Sequence, residues 1–221
     1  GKNVSSNTDG TIIAISSRKH DSNKGHVRIY EWDGSSWDQL GNDIDGQVSG
    51  DYFGRSVSLN ANGKIVAIGA HHHDGNKGCV SIYEWDGSSW QQMGNNIVGE
   101  AADDYSGFSV SLSNDGKIVA IGAYYNDGIN GTNSGHVRVY DYVEGRNPEW
   151  DQLGSDIDGE DSGDNSGWSI SLSSNGKILA ISAPYNNGNG GSSGHVRVYE
   201  YNDNAWDQMG SDIDAEAAGD Y

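Results

Sequence analysis

SVSLNANGKIVAIGA, from Ser56 to Ala70, alternates polar and apolar residues over Ser56–Leu59, breaks at Asn60-Ala61-Asn62-Gly63, and resumes as an apolar run from Ile65. The pattern predicts two short strands joined by a hairpin, because Asn-Gly supplies the positive φ angles that a tight primed turn needs. Asp9-Gly10, Asp115-Gly116 and Asn175-Gly176 occupy equivalent places. Four strong turn signals at one repeat position leave little room for helix.

Outward from the hairpin, a variable polar loop (71–78 here, 124–135 in the third copy) leads to GCVSIY from Gly78, which returns as GHVRIY from Gly25 and GHVRVY from Gly135 and Gly194. Apolar residues fall on one face of this third strand. His26, Arg28, Tyr30 and Trp32 fall on the other, matched in the last copy by His195, Arg197, Tyr199 and Tyr201. A short turn, Asp33 to Ser36, precedes a fourth strand at WDQLG from Trp37, repeated as WQQMG from Trp90, WDQLG from Trp150 and WDQMG from Trp206.

The chain is therefore read as one repeat-built domain, with units of approximately 1–53, 54–106, 107–166 and 167–221, each too short to stand without its neighbours. Four short antiparallel strands per unit and two prolines in the whole chain give the fold class: an all-β β-propeller of four tandem four-stranded antiparallel blades. A solenoid is the competing architecture, but its strands pair between coils and need no hairpin inside every unit. Ala218–Tyr221 and Gly1–Val4 are the two halves of the motif seen whole at Gly50–Gly54, which suits either a closed ring of four or an excerpt of a larger propeller or array.

Leu, Ile, Val and Phe total 39 of 221 residues and the net charge is -19, a balance usual in disordered chains. Seven Trp and twelve Tyr at repeating positions argue against disorder, and predict a thin core rich in aromatic rings. With 32 acidic against 13 basic residues, neither nucleic acid nor an anionic membrane is an expected partner, whereas cations are. Cys79 stands alone, so no internal disulfide forms. The chain has no start Met, signal-like segment or long apolar stretch, so it is expected to be processed or cut from something longer, with no direct membrane insertion. Asn3 and Asn130 fit the N-glycosylation pattern, as chance alone would supply in so Asn- and Ser-rich a sequence.

Asp51-Tyr-Phe-Gly-Arg-Ser-Val-Ser-Leu59, followed by Val66-Ala-Ile-Gly-Ala70 and Gly78-Cys-Val-Ser-Ile-Tyr83, resembles the FG-GAP repeats of integrin α-subunit propellers and their extracellular relatives. The order of elements is kept in all four units. Phe53-Gly54 occurs only in the second, with Ser106-Gly107 and Ser166-Gly167 in the third and fourth. The resemblance implies a propeller fold and an extracellular interaction role. Its usual calcium loop, D-x-D-x-D-G before the apolar strand, is replaced here by Asn60–Gly63, Ser113–Gly116 and Ser173–Gly176, so those ligands do not carry over.

Acidic residues gather instead between units, at Asp43, Asp45 and Asp51, at Asp156, Asp158 and Asp164, and at Asp212, Asp214 and Asp220. Carboxylates spaced by two along a turn, with backbone carbonyls, can supply the six to eight oxygens calcium takes, so these nine are the candidate Ca²⁺ ligands. The competing reading is solvated turn chemistry. His71-His72-His73 looks like a metal cluster, but consecutive histidines on an extended chain point to opposite sides, and they are read as exposed loop residues. His26, His136 and His195 recur at one strand position, where a ring near the axis would form an attractive ligand site. A residue present in most copies is more often there to pack, however. No catalytic residue is assigned, since no copy carries a constellation of unlike reactive groups.

The sequence reading is thus a non-enzymatic extracellular or cell-surface module for adhesion or assembly, stabilised by calcium. A glycan-binding lectin is the alternative, and a hydrolase on a propeller scaffold the third reading. Its expected partners are a protein or glycan at the cell surface or matrix, or further copies of the same repeat.

Overall fold

A computed structural model of the chain describes residues 1–146 and 149–220; Tyr221, the last residue of the fourth unit, lies outside them. Each unit contributes one antiparallel sheet. The first holds β1 (Val4–Ser6), β2 (Ile12–Ser17), β3 (His26–Trp32), β4 (Trp37–Gln39) and β5 (Ile44–Asp45). The second holds β6 (Ser56–Leu59), β7 (Ile65–Ala70), β8 (Cys79–Trp85), β9 (Trp90–Gln92) and β10 (Ile97–Val98). The third runs through β11 (Ser109–Leu112), β12 (Ile118–Ala123), β13 (His136–Tyr142), β14 (Trp150–Gln152) and β15 (Ile157–Asp158). The fourth runs through β16 (Ile170–Leu172), β17 (Ile178–Ala183), β18 (His195–Tyr201), β19 (Trp206–Gln208) and β20 (Ile213–Asp214).

The expected four-stranded propeller blade is borne out, with its fourth strand in two pieces that both pair with the third. In the first blade, β4 lies beside Tyr30–Trp32 and β5 beside His26-Val27. Innermost strands pack side by side, β1 on β6, β6 on β11 and β11 on β16. They are stitched by one recurring hydrogen bond. The backbone N–H of Leu59, Leu112 and Leu172 donates to the hydroxyl of Ser5, Ser58 and Ser111 of the preceding blade, at 2.9 to 3.0 Å.

The hairpin differs in detail from its prediction. Between Leu59 and Ile65 the loop is longer than a two-residue primed turn, and only Gly63 of the Asn-Gly pair takes a positive φ, +70°. Asn60 closes it by accepting the Ile65 N–H on its side-chain oxygen at 3.0 Å, the geometry of a longer loop built on an ordinary turn. The variable loops at His20–Asn23 and His73–Asn76 make single helical-type turns interrupted by positive φ at Asp21, Ser22, Asp74 and Gly75, so they do not extend into helix.

The core lies between blades. Ala14, Val27 and Ile29 of the first blade meet Leu59, Val66 and Ile68 of the second, and the next two joints repeat the arrangement. This corrects the expectation of an aromatic core: the largest fully buried side chains are mainly Ile, Val and Leu, while Trp32, Trp37 and Trp168 are about 40% exposed. A modest aliphatic content suffices because the inner blades bury both sheet faces. Phe53, Tyr140, Trp150 and Tyr199 join the core clusters without dominating them. Trp90, Trp150 and Trp206 each stack on the facing ring of their own sheet and donate the indole N–H to a carbonyl of the preceding blade, Leu40, Met93 and Leu153.

Candidate functional site

The carboxylates singled out in the sequence divide into two sets. Asp43, Asp156 and Asp212 lie beside the recurring histidines, with Asp43 Oδ2 3.7 Å from His26 Nδ1, Asp156 Oδ2 3.6 Å from His136 Nδ1, and Asp212 Oδ2 3.6 Å from His195 Nδ1. Asp45 joins the first group, and Glu100 and Glu160, from the preceding blades, join the others, giving three His-plus-two-carboxylate clusters whose ligand atoms lie within 4.8 Å. Such clusters could hold a metal ion. Asp51, Asp164 and Asp220 do other work: Asp51 bonds His73 Nδ1 at 2.7 Å, and Asp164 and Asp220 accept backbone N–H groups of their own loops, from Asp161 and Ala217. Asp158 and Asp214 stand apart from the clusters of their own blades, each close to a variable-loop glycine, Gly128 and Gly188. No interunit loop gathers its three carboxylates at one point.

The recurring histidines begin the third strands, two strands out from the axis, and so form no axial ring. Burial, aided by Arg138, pulls His136 down to about 4 against the opposing pull of Asp156 and Asp104. With its folded pKa below the unfolded one, the unfolded chain takes the proton first. The stability linked to neutral His136 is therefore complete above about pH 6.5 and is lost as pH falls from there toward 4. Urea midpoints should drop across that window, and His136→Gln should flatten the drop; identical slopes would exclude the assignment.

A second site lies on the axis. The residue after the repeating glycine of each unit is Lys2, Arg55, Phe108 or Trp168, so four equivalent positions carry two cations and two aromatic rings. They line a cavity of about 410 Å³ between the innermost strands. The residue after each second strand varies in the same way: Arg18, His71, Tyr124 and Pro184. The Arg55 guanidinium lies 3.6 Å over the Phe108 ring, and the Tyr124 and Trp168 rings follow at 4.1 and 4.9 Å from Phe108. Arg18 lies 5.5 Å over Tyr52.

The field here is cationic in a chain of net charge -19. Arg18 above all, then loss of water, Arg55 and Lys19, lowers the Lys2 ammonium. His71 is 4% exposed, contrary to its expected place on an exposed loop, and its Nδ1 is buried without a hydrogen-bond partner. Burial, followed by His72, Arg55, Arg18 and Lys2, brings its pKa to about 2, so the ring is neutral. Burial and the neighbouring Tyr125 and Tyr105 push Tyr124 up to about 12. Cations over aromatic faces, with a neutral imidazole beside them, can bind an anionic, ring-shaped ligand. The sequence reading missed this site because it asked what the copies share. The signal was where they differ.

No curated protein matches the chain in sequence. In structure, the chain superposes on a putative 6-phosphogluconolactonase from Bacteroides uniformis over 97% of its length and 57% of that chain, at 15% identity and a TM-score of 0.64. The periplasmic gluconolactonase of Pseudomonas aeruginosa gives 98%, 58%, 15% and 0.65. The propeller domain of the trilobed protease from Pyrococcus furiosus, described as having an open velcro topology, gives 95%, 56%, 10% and 0.51. The chain thus spans less than two thirds of these structures. At such identity they show the fold, yet they remove the ground for a non-enzymatic adhesion or structural module, and for its lectin alternative, since the first two propellers are lactonases by name. The FG-GAP resemblance is borne out where the FG-GAP repeat family matches, at residues 45–83 and 99–140 of this series of four propeller sheets.

Proposed function

We propose that the protein hydrolyses the lactone ring of an anionic sugar acid at the axial mouth. The observation that carries this reading is the set Lys2, Arg55, Phe108 and Trp168, four unlike side chains at one repeat position lining the axial cavity. Lys2 and Arg18 would hold the substrate's carboxylate or phosphate, and Phe108 and Trp168 would stack on the sugar ring. Water from solvent adds to the ring carbonyl carbon and gives its proton to the surrounding water, while the charge forming on the carbonyl oxygen faces Arg55. Collapse breaks the ring carbon–oxygen bond, and the departing ring oxygen takes a proton from solvent. The product is the open hydroxy acid. Proton release from glucono-δ-lactone and its 6-phosphate, followed at constant pH, tests this. A saturable rate above the buffer blank is expected, and a rate equal to the blank for both would exclude it. The lactonase names of the superposing propellers support the substrate class.

We place this activity outside the cytoplasm, a location that the FG-GAP matches and the periplasmic neighbour support. Among the described residues, no helix is long and apolar enough to cross a membrane. A divalent cation is a second ligand. His195 is 5% exposed and its Nδ1 has no hydrogen-bond partner, yet it faces Asp212 and Glu160 at 3.6 and 3.8 Å. An imidazole among carboxylates suits zinc or manganese better than calcium, which takes oxygen alone. At a hundredfold excess over Kd, such an ion adds about 2.7 kcal/mol. Thermal midpoints should then rise by roughly 5 to 10 °C with zinc or manganese and by less with calcium. Unchanged midpoints with all three would exclude the site.

A further inference from the structure

Ahead of Phe53-Gly54, Ser106-Gly107 and Ser166-Gly167, one repeat position holds Tyr52, Tyr105 and Asn165. All three take nearly the same left-handed backbone, with φ of +55°, +57° and +56°. The third joint thus keeps the turn and loses the ring.

The second joint shows what that ring fills. Tyr105 packs on the second residues of two variable loops, its ring 5.3 Å from His72 and 5.5 Å from Tyr125. At the third joint the same two loop positions are Tyr125 and Tyr185, and Asn165 supplies no ring to go with them. Tyr125, Tyr185 and Asn165 instead line one cavity of about 460 Å³.

This slot is tied down on several sides. Asn165 is 6% exposed and donates its Nδ2 to the carbonyls of Tyr124 and Asn133, both at 3.1 Å. The Tyr185 N–H donates to the Asp164 carbonyl at 3.3 Å. Asn187 accepts the Ser192 N–H on its Oδ1 at 2.8 Å, which leaves its Nδ2 to meet a guest. No residue lining the cavity is charged. Tyrosine rings with amides and hydroxyls around them suit an uncharged, hydroxylated ring, whose C–H face stacks while its hydroxyls exchange hydrogen bonds. A wholly apolar ring would leave the amides unpaired.

Slot and axial mouth share a wall. Tyr125 packs on Tyr124 at 4.2 Å and Tyr185 on Trp168 at 6.1 Å, while Tyr124 and Trp168 lie 5.1 Å apart. A molecule stacked on Trp168 at the axis therefore has a place for its next ring beside Tyr125 and Tyr185.

We propose that the slot is a subsite for a second, uncharged sugar ring, so that the substrate is a sugar-acid lactone carrying a further pyranose. The proposal rests on the lactonase reading above and names the substrate class within it. Cellobiono-δ-lactone and maltobiono-δ-lactone, set against glucono-δ-lactone, test it by rate. KM for at least one disaccharide lactone should be about tenfold lower, the gain of one further stacked ring. Isothermal titration with cellobionate, maltobionate and gluconate reads the slot without turnover, and at least one disaccharide acid should bind about tenfold more tightly than gluconate. Asn165→Tyr restores the ring that two other units carry at the same φ, so it should keep the parental thermal midpoint, fill the slot and abolish both differences. Tyr185→Ala, which removes a wall, should lower them too. Disaccharide preference in the titration with no lactone hydrolysed would remove the lactonase reading and keep the subsite. Hydrolysis with equal KM and equal binding for all three sugars would overturn the subsite and keep the reading. A preference that survives both substitutions would also overturn the subsite.

Discussion

Arg55→Ala should lower kcat/KM for lactone hydrolysis by about 10²- to 10³-fold, the usual loss when one preorganised donor to a developing oxyanion is removed. The expected size follows from where the guanidinium sits. It stacks on Phe108 at 3.6 Å in a partly desolvated mouth, and burial, then Arg18, lowers its pKa. A charge held away from water acts more strongly on a nearby oxygen than a surface charge does. Because the stabilised charge exists only in the transition state, the fall should appear in kcat more than in KM. Arg55→Lys should recover part of the rate, since it keeps the charge but loses the planar fork. Arg146→Ala, which removes a surface ion pair with Asp151 far along the chain, should leave the rate unchanged and serves as the control. An Arg55→Ala enzyme with parental kcat and KM would remove Arg55 from the mechanism.

How much of this was readable beforehand depends on period. Strand positions, hairpins and joints recur at every unit, so Trp90, Trp150 and Trp206 announced themselves, and the propeller followed from the hairpin at Ser56–Ala70. Local chemistry that depends on neighbours did not. Asp43 and His26 are far enough apart in sequence that only the pairing of β5 with β3 brings them together, and Glu160 reaches His195 only because the third blade packs on the fourth. Spacing by two does not decide which carboxylates meet: Asp43 and Asp45 share the His26 cluster, whereas Asp156 lies beside His136 and Asp158 beside Gly128. Its place in a variable loop points to an exposed His71, while Tyr52 and Phe108 from adjoining units and Tyr105 from its own enclose it. The axial cations were legible in principle, since Lys2 and Arg55 break a repeat position otherwise filled by Phe108 and Trp168. A repeat protein states its fold in what recurs and its site in what does not.

Gly78→Ala should destabilise the protein by about 3 to 5 kcal/mol, a large share of the stability of an ordinary domain. Gly78 has φ +77°, where a β-carbon costs about 1 to 2 kcal/mol. The greater cost is spatial. A β-carbon there would fall 2.0 Å from the Ser106 carbonyl oxygen, with the Ser106 nitrogen at 2.6 Å, and backbone on this scale cannot step aside cheaply. Gly78 sits where three segments cross. It donates to the His73 carbonyl, accepts from Gly99 at 2.8 Å, and bridges Ser106 on the segment that leads into the third blade. Gly75→Ala provides the comparison, because φ there is +65° and nothing lies within 4 Å of the added carbon, so it should cost only about 1 kcal/mol. The difference in urea midpoint between the two variants then measures the overlap alone, and equal midpoints would show that the crossing yields. The position of Gly78 also predicts how the loss is distributed. In a series of blades that touch only their neighbours, weakening one crossing separates the units on either side. Fluorescence from the indoles of the first two blades should therefore melt apart from that of the last two in Gly78→Ala, while the parent chain melts as one.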